Sequence, residues 1–570
     1  MKKLLLGDFA VARGAYEAGV KVATAYPGTP STEITEELSR YDDVYSEWSP
    51  NEKVAMEVSI GSSIHGARTI VSMKHVGLNV ASDPLFTAAY TGVNAGLVVA
   101  VADDPSMFSS QNEQDTRMIA RSANVPVIEP SDSQEAKDFT KFAFEVSEKY
   151  DTPVILRITT RVAHSQSMVE IGEREDVPVK PYEKNIAKYV MMPANAIKRH
   201  VVVEERLNRL SEDSNGFAIN KIEYKDKKLG IICAGGVYQY VKEALPDASV
   251  LKLGMVYPLP YDMVKTFVDS VERCVVVEEL EPHIEGLLKL HGINVEGKNI
   301  FTRQGEFSVN LIKEKLLGEK TEAGPAQIPA RPPVLCAGCP HRGVFYTLKR
   351  LKLNVMGDIG CYTLGAVPPL AAIDATVCMG ASIGMAIGAD KANPEAHKNT
   401  VAVIGDSTFI HSGITGLVDA VYNKANVTVI ILDNRTTGMT GHQNNPANGK
   451  TIKNEETYEL DLAKLATAVG ADSVRTVDPY DLEAFESAVK EELARKGVSV
   501  IISKRPCVLL TKKLYKGFAV DKTACKNCKA CMRLGCPAIN STEEGIRIDT
   551  SLCTECGLCQ KVCRFGAIKG

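Results

Sequence analysis

The sequence predicts an α/β chain of several domains that ends in a small cysteine-rich module. Three observations predict it. Apolar, β-rich runs recur along the chain with amphipathic stretches between them, the pattern of parallel sheets covered on both faces. The 570 residues are too many for one hydrophobic core, and three or four domains are expected. Eight of the fifteen cysteines crowd into Cys525–Cys563.

The elements follow in order. Residues 1–180 form a first α/β unit, with strands in VKVATAY (20–26), GLVVAVA (96–102) and TPVILRI (152–158). Residues 181–228 are polar and irregular and read as a connector. A second, smaller α/β unit runs to residue 317, with KLGIICAGG (228–236), ASVLKLG (248–254) and RCVVVEEL (273–280). GEKTEAGPAQIPARPP (318–333) is rich in Pro, Ala and charge and reads as a linker. Residues 334–515 form a third unit, with TVAVIGD (400–406), NVTVIILDN (426–434) and VSVIISKRP (498–506). Residues 516–570 are the cysteine-rich module.

Composition excludes several classes. The net charge of -4 does not suit a nucleic-acid-binding surface. The longest uncharged stretches, such as 87–102, are short and contain Tyr, Thr and Asn, so no membrane span is expected. Asp8 and Arg13 interrupt the apolar start, which argues against a signal peptide. A cytoplasmic protein is expected, and close-spaced cysteines there read as metal or cluster ligands rather than disulfides.

The module holds two quartets. The first is Cys525-x2-Cys528-x2-Cys531-x4-Cys536-Pro537, and the second is Cys553-x2-Cys556-x2-Cys559-x3-Cys563. The bacterial ferredoxin run is C-x2-C-x2-C-x3-C-P, and its fourth cysteine serves the other cluster. Cys525, Cys528, Cys531 and Cys563 are therefore assigned to one [4Fe–4S] cluster, and Cys553, Cys556, Cys559 and Cys536 to the other. The first quartet has one extra residue before Cys536, and the second has Arg564 where proline is usual. A pair of zinc sites is the alternative, although zinc sites pair C-x2-C units across longer gaps.

In the third unit an apolar strand runs into Gly405-Asp406-Ser407 and then a helical stretch. Glycine at such a turn admits a phosphate to the backbone, and the helix N-terminus favours its charge. Asp406 offers an oxygen to Mg²⁺. Asn434 ends the next strand, and adjacent parallel strands would bring it to the same carboxyl edge. A plain turn is the alternative. The spacing resembles the thiamine diphosphate signature, GDG followed by about 26 residues and Asn, with Ser407 in place of its last glycine. RTTGMTGHQ (435–443) resembles the loop after the Mg²⁺-binding Asn of 2-oxoacid:ferredoxin oxidoreductases, which implies a Thr436 backbone oxygen on the ion.

That resemblance extends to the first unit. AYPGTPSTEI (25–34) resembles the Tyr-Pro-x-Thr-Pro element of the family's pyrimidine domain, which implies that Tyr26 and Thr29 lie beside the cofactor. SPNEKVAMEVSIGSSIHGAR (49–68) resembles the helix carrying the glutamate that serves the aminopyrimidine N1′. Glu52 and Glu57 compete for that role, and the flanking GARTIVSMKHVGL (66–78) aligns Glu52 with it. A solvated helix carboxylate is the alternative. CAGCPHR (336–342), GDIGCY (357–362) and RPCVLL (505–510) resemble segments that hold a cofactor-proximal cluster in some relatives. Cys336, Cys339, Cys361 and Cys507 thus either hold a third cluster or are ordinary thiols. Cys233, Cys274 and Cys378 sit in apolar surroundings and read as core. SSQNEQDTR (109–117) is a loop that could face substrate.

The resemblance covers almost the whole chain. It implies two thiamine-diphosphate-binding α/β domains of pyrimidine and diphosphate type, a transketolase-C-like α/β domain, and a bacterial-type two-cluster ferredoxin domain. This order resembles the α subunits of the indolepyruvate type. The activity implied is anaerobic oxidative decarboxylation of indole-3-pyruvate or another arylpyruvate to an aryl-acetyl-CoA, with external ferredoxin reduced. No coenzyme A domain is recognised here, so a smaller β subunit is implied, in an α2β2 heteromer. The rival readings are the same reaction on another 2-oxoacid, a non-oxidative thiamine-dependent decarboxylase, and an electron carrier with an inert α/β body.

Overall fold

The computed structural model describes residues 1–320, 329, 332–511, 513 and 515–570. The chain forms two compact units, Met1–Ala326 and Gln327–Gly570. Most of the linker read at 318–333 lies outside the described residues.

The first unit is built on a seven-stranded sheet. Its order is Met255–Tyr257, Val127–Ile128, Val154–Thr159, Leu97–Asp103, Thr69–Lys74, Val22–Ala25 and Tyr45–Trp48. Six strands are parallel, and the edge strand Met255–Tyr257 runs antiparallel to Val127–Ile128. Leu97–Asp103 is buried along its whole length, as a strand covered on both faces must be. Its side chains alternate between two cores. Val99 and Val101 enter one with the Glu52–Ile64 helix residues Ala55 and Met56, and Val98, Ala100 and Ala102 enter the other with Phe139 and Phe144.

A smaller sheet follows, in the order Arg273–Val277, Asp226–Ala234, Ala248–Leu253 and Lys221–Glu223, with the last strand antiparallel. Residues 181–228 depart from the expected irregular connector. They contain the 22-residue helix Pro193–Ser214, which opens on proline at its first turn. Its buried residues Val203, Leu207, Leu210 and Ser214 form a narrow stripe at spacings of three and four. Ile197 and Val201 are exposed and most of its other residues are polar or charged, which is why the segment reads as unstructured by composition.

A buried ion network joins the two sheets of this unit. Arg117 donates to Asp115 at 2.9 and 2.7 Å and to Glu278 at 3.1 Å. Arg157 donates to Asp103 at 2.6 Å and lies 2.9 Å from Glu129. The segment 109–117 is therefore divided. Asp115, Thr116 and Arg117 are buried structural residues, and Ser109 and Ser110 lie nearer the sheet edge, with bonds to Asp104.

The second unit has a five-stranded parallel sheet in the order Asn354–Met356, Thr400–Gly405, Val427–Asp433, Val498–Lys504 and Ser473–Val477. Gly405 pairs with Leu432, so Asp406 and Asp433 leave neighbouring strands together. The cysteine-rich module belongs to this unit. It consists of the hairpin Ile539–Thr542/Gly545–Ile548, the pair Ala519–Val520/Ile568–Lys569, and short turns around the cysteines. Leu482 and Phe518 share its small core with Leu534, Ile546 and Leu558. Cys233 and Cys274 are buried, but Cys378 is exposed. It lies in the connection ahead of the Ala381–Ala392 helix, where apolar neighbours in sequence do not become neighbours in space.

Candidate active site

In the first unit, the loops at the carboxyl edge of the sheet carry the residues expected on the pyrimidine side. Tyr26 follows Val22–Ala25 and is buried, and Thr29 is half-buried. Glu52 opens the Glu52–Ile64 helix and is 5% exposed. Asn51 caps this helix by accepting from the Val54 N–H at 2.9 Å, and a carboxylate in the first turn suits the helix dipole. Glu57 lies on the solvent face of the same helix and pairs with Lys53. Glu52 instead packs against Gly77, where a Cβ would fall 2.6 Å from its Oε1.

Lys74, within the 66–78 segment but given no role by the sequence reading, joins these residues. It ends the Thr69–Lys74 strand and is 8% exposed. Its Nζ donates to the Ser109 carbonyl at 2.5 Å, and the Ser109 hydroxyl donates to the Thr29 carbonyl at 3.3 Å. Gly28 lies directly over it, with room for a Cβ only 3.1 Å from the Lys74 Cβ. Burial lowers the Lys74 ammonium to about 8, and Asp104 opposes the shift. A cation at the end of an otherwise apolar strand is the sequence signal that could have found it.

In the second unit, Asp406 and Asn434 lie at the ends of adjacent parallel strands. Asp406 accepts from the N–H groups of Ser407 at 2.7 Å and Arg435 at 2.9 Å. Burial, then the neighbouring Asp433, raises its carboxyl to about 8. Gly405 is required because the Tyr362 ring would lie 2.7 Å from a Cβ there. Asn434 Nδ2 donates to His341 Nε2 at 3.3 Å, and Asn434 Oδ1 accepts from the Thr436 N–H at 3.1 Å. Burial lowers His341 to about 4, so the ring is neutral and can accept. Thr436 is buried and donates to the Gln443 carbonyl at 3.2 Å, and the Thr437 and Ser407 hydroxyls are 3.0 Å apart. Asp406 and Asn434 each bring an oxygen donor to this edge, the ligand type that a hard divalent cation takes.

Two cysteines touch this loop. The Cys507 N–H donates to the Asn434 carbonyl at 2.9 Å, and a Cβ on Gly438 would lie 3.5 Å from Cys361 Sγ. Burial raises the Cys339 thiol to about 12 and the Cys361 thiol to about 11, and Cys336 and Cys507 add to both shifts. Cys336, Cys339, Cys361 and Cys507 thus share one neighbourhood beside Asn434.

The two quartets line two further cavities. Cys525, Cys528, Cys531 and Cys563 line one with Val520, Ile546 and Ile568. Cys536, Cys553, Cys556 and Cys559 line the other with Phe518, Leu534 and Leu558. Each cavity takes its fourth cysteine from the other quartet. A zinc ion bound at about 2.3 Å by four thiolates would hold the sulfurs about 3.8 Å apart. Among the described residues, the one set of three potential ligands within 4.8 Å of one another is Asp8, Glu33 and His164, which contains no cysteine. The quartets are spread too widely for a single ion and suit a larger cluster.

Three family models match the chain. Pyruvate flavodoxin/ferredoxin oxidoreductase, thiamine diphosphate-binding, matches residues 13–214. The C-terminal binding domain of thiamine pyrophosphate enzymes matches 358–503, and a 4Fe-4S binding domain matches 546–569. Indolepyruvate oxidoreductase subunit IorA of Pyrococcus horikoshii is 42% identical over all of this chain and 97% of its own length. The Archaeoglobus fulgidus subunit of that name is 40% identical over the same shares. A solved 2-oxoglutarate:ferredoxin oxidoreductase from Magnetococcus marinus overlays 55% of this chain and 65% of its own, with TM-score 0.44 and 17% identity. No helix among the described residues is long and apolar enough to cross a membrane. The full-length identity and the matched domains show that this chain belongs to the family of indolepyruvate oxidoreductase IorA subunits, thiamine diphosphate- and iron–sulfur-dependent 2-oxoacid:ferredoxin oxidoreductases.

Proposed function

We propose that this chain is the catalytic α subunit that oxidatively decarboxylates indole-3-pyruvate and other arylpyruvates to aryl-acetyl-CoA, with ferredoxin as the electron acceptor. A smaller β subunit completes the enzyme as α2β2 and supplies the coenzyme A site, and the enzyme works in the cytoplasm. The observation that carries the reading is the placement of Cys361 and Cys507 against the Asn434–Gly438 loop, with Cys336 close enough to act on the Cys361 thiol. A thiamine site and a first electron acceptor would then be neighbours, as a decarboxylation that releases electrons singly requires.

When bound, thiamine diphosphate supplies the carbanion chemistry and the clusters carry single electrons. Asp406, Asn434 and the Thr436 backbone would hold the Mg²⁺ of the diphosphate. Gly405 and Ser407 bring their backbone to the phosphates at a helix start. Glu52 would hold the proton at the aminopyrimidine N1′, and its contact with Gly77 orients its carboxyl. Tyr26 and Thr29 wall the cofactor, and Lys74 offers a cation to the 2-oxoacid carboxylate. Cys336, Cys339, Cys361 and Cys507 hold a third cluster, and Cys525, Cys528, Cys531 and Cys563, with Cys536, Cys553, Cys556 and Cys559, hold the other two.

The test uses the anaerobically purified complex with its β subunit. About twelve irons per chain, coenzyme A-dependent ferredoxin reduction and an aryl-acetyl-CoA product are expected. About eight irons would remove the third cluster from the reading. Faster turnover of pyruvate or 2-oxoglutarate would move the substrate class. Aldehyde release without an electron acceptor would make the enzyme a simple decarboxylase.

A further inference from the structure

Arg342 lies in the first turn of the His341–Leu351 helix and is 2% exposed. Its hydrogen bonds go to neutral carbonyls. Nη1 donates to Leu534 at 2.6 Å, and Nη2 donates to Leu335 at 2.6 Å and Cys336 at 2.9 Å. Its Nε is buried and has no protein acceptor. Among the described residues no carboxylate pairs with it. Nearby Arg505 differs, because it is neutralised by Asp478.

A buried guanidinium without a counter-charge is costly. Arg342 lines the cavity of Cys536, Cys553, Cys556 and Cys559. Four thiolates around an iron–sulfur cluster make an anion, and reduction adds one more negative charge. The cation without a carboxylate and the cavity are therefore complementary.

The longer spacing of the first quartet contributes to the same contact. Leu534 and Gly535 lie in the loop that has one residue more than the ferredoxin pattern. Gly535 adopts φ +64°, and a Cβ there would fall 2.8 Å from Pro369 and 3.4 Å from Arg342 Nη1. The loop presents the Leu534 carbonyl to the guanidinium and lets the chain turn away without a side chain.

We propose that Arg342 is the counter-ion and N–H donor of the cluster held by Cys536, Cys553, Cys556 and Cys559, that it raises the potential of this cluster, and that it fastens the cluster to the Cys336 loop. It is a positioning residue, and the proposal rests on the iron–sulfur reading of the cavity. An electron arriving from the Cys336 group then meets an acceptor stabilised for one added negative charge.

The test is an EPR-monitored anaerobic redox titration of the holoenzyme. Iron and sulfide in the wild type check the iron–sulfur reading separately, and their absence would fail that reading rather than this one. In Arg342→Met, the reduced-to-oxidised ratio of one cluster should fall at least tenfold at fixed ambient potential, which is about 59 mV for a one-electron couple. The other clusters should hold their midpoints. Arg342→Lys, which keeps the charge, should recover most of the shift. Unchanged midpoints in an iron-replete Arg342→Met enzyme would overturn the proposal. If that variant does not accumulate, ENDOR on wild type labelled with [15N]arginine decides. A nitrogen coupling to one reduced cluster is expected, and its absence would overturn the proposal.

Discussion

Glu52 and Gly77 are in such close contact that one added carbon on Gly77 would fall 2.6 Å from Glu52 Oε1 and 2.7 Å from its Cγ. The absence of a side chain at residue 77 thus helps to hold the orientation of a buried carboxylate. Gly77→Ala should displace that carboxylate and lower kcat by up to about 10²-fold, the cost of an ångström-scale misplacement. Glu52→Gln should lower it further. Steady-state viologen reduction with arylpyruvate and coenzyme A measures both, and a wild-type rate in the Gly77→Ala enzyme would separate Glu52 from the chemistry.

Lys74 carries its charge below about pH 8 and loses it above. The 2-oxoacid carboxylate should therefore bind more weakly as pH rises through that value, and KM should climb. Lys74→Met should raise KM by roughly 10–100-fold, the range of a charged hydrogen bond, and flatten the pH profile of KM. A variant with unchanged KM would assign the carboxylate to another residue.

Asp406 has its carboxyl raised to about 8 by burial and Asp433. Without a cation the protonated form is favoured, so its contribution to stability is present at low pH and is lost as pH rises through about 8. A cation needs the carboxylate, so Mg²⁺ affinity should rise toward pH 8 and binding should release a proton. Calorimetry in buffers of different ionisation enthalpy reads that proton. Binding independent of buffer and pH would count against Asp406 as a ligand.

Arg117 is the centre of the buried network that ties Asp115 to Glu278. Arg117→Met would leave carboxylates buried without their cation and should destabilise the first unit by about 3–5 kcal/mol. Trp48 is the single tryptophan of the chain and lies in this unit, so its fluorescence in a denaturant titration isolates the effect. Iron content should not change.

The parts of this protein that are legible in its sequence are those written locally. The cysteine quartets announce themselves by spacing, and the turn at Gly405–Ser407 by its position after an apolar strand. The choice of Glu52 over Glu57 needs the strand that follows, because both carboxylates lie on one helix and only tertiary packing buries the first. Lys74, Arg117 and Arg342 escape a sequence reading, since most of their partners lie tens to hundreds of residues away and nothing beside them names those partners. Cys378 shows the opposite error. Its apolar sequence neighbours suggest a core position, but the segment runs over the surface. The helix Pro193–Ser214 is hidden because a narrow buried stripe barely changes the composition of 22 residues.

The short strand Met255–Tyr257 has a consequence for anyone who divides this chain. It closes one side of the sheet formed by the first 160 residues, although it comes a hundred residues later. A fragment cut at residue 180 would keep most of that sheet but expose the backbone of Val127–Ile128 as an unpaired edge, an invitation to intermolecular pairing. It would also lose Glu278, one of the carboxylates that Arg117 holds. The first unit of this protein is therefore best expressed through residue 317, as one indivisible piece rather than two interchangeable ones.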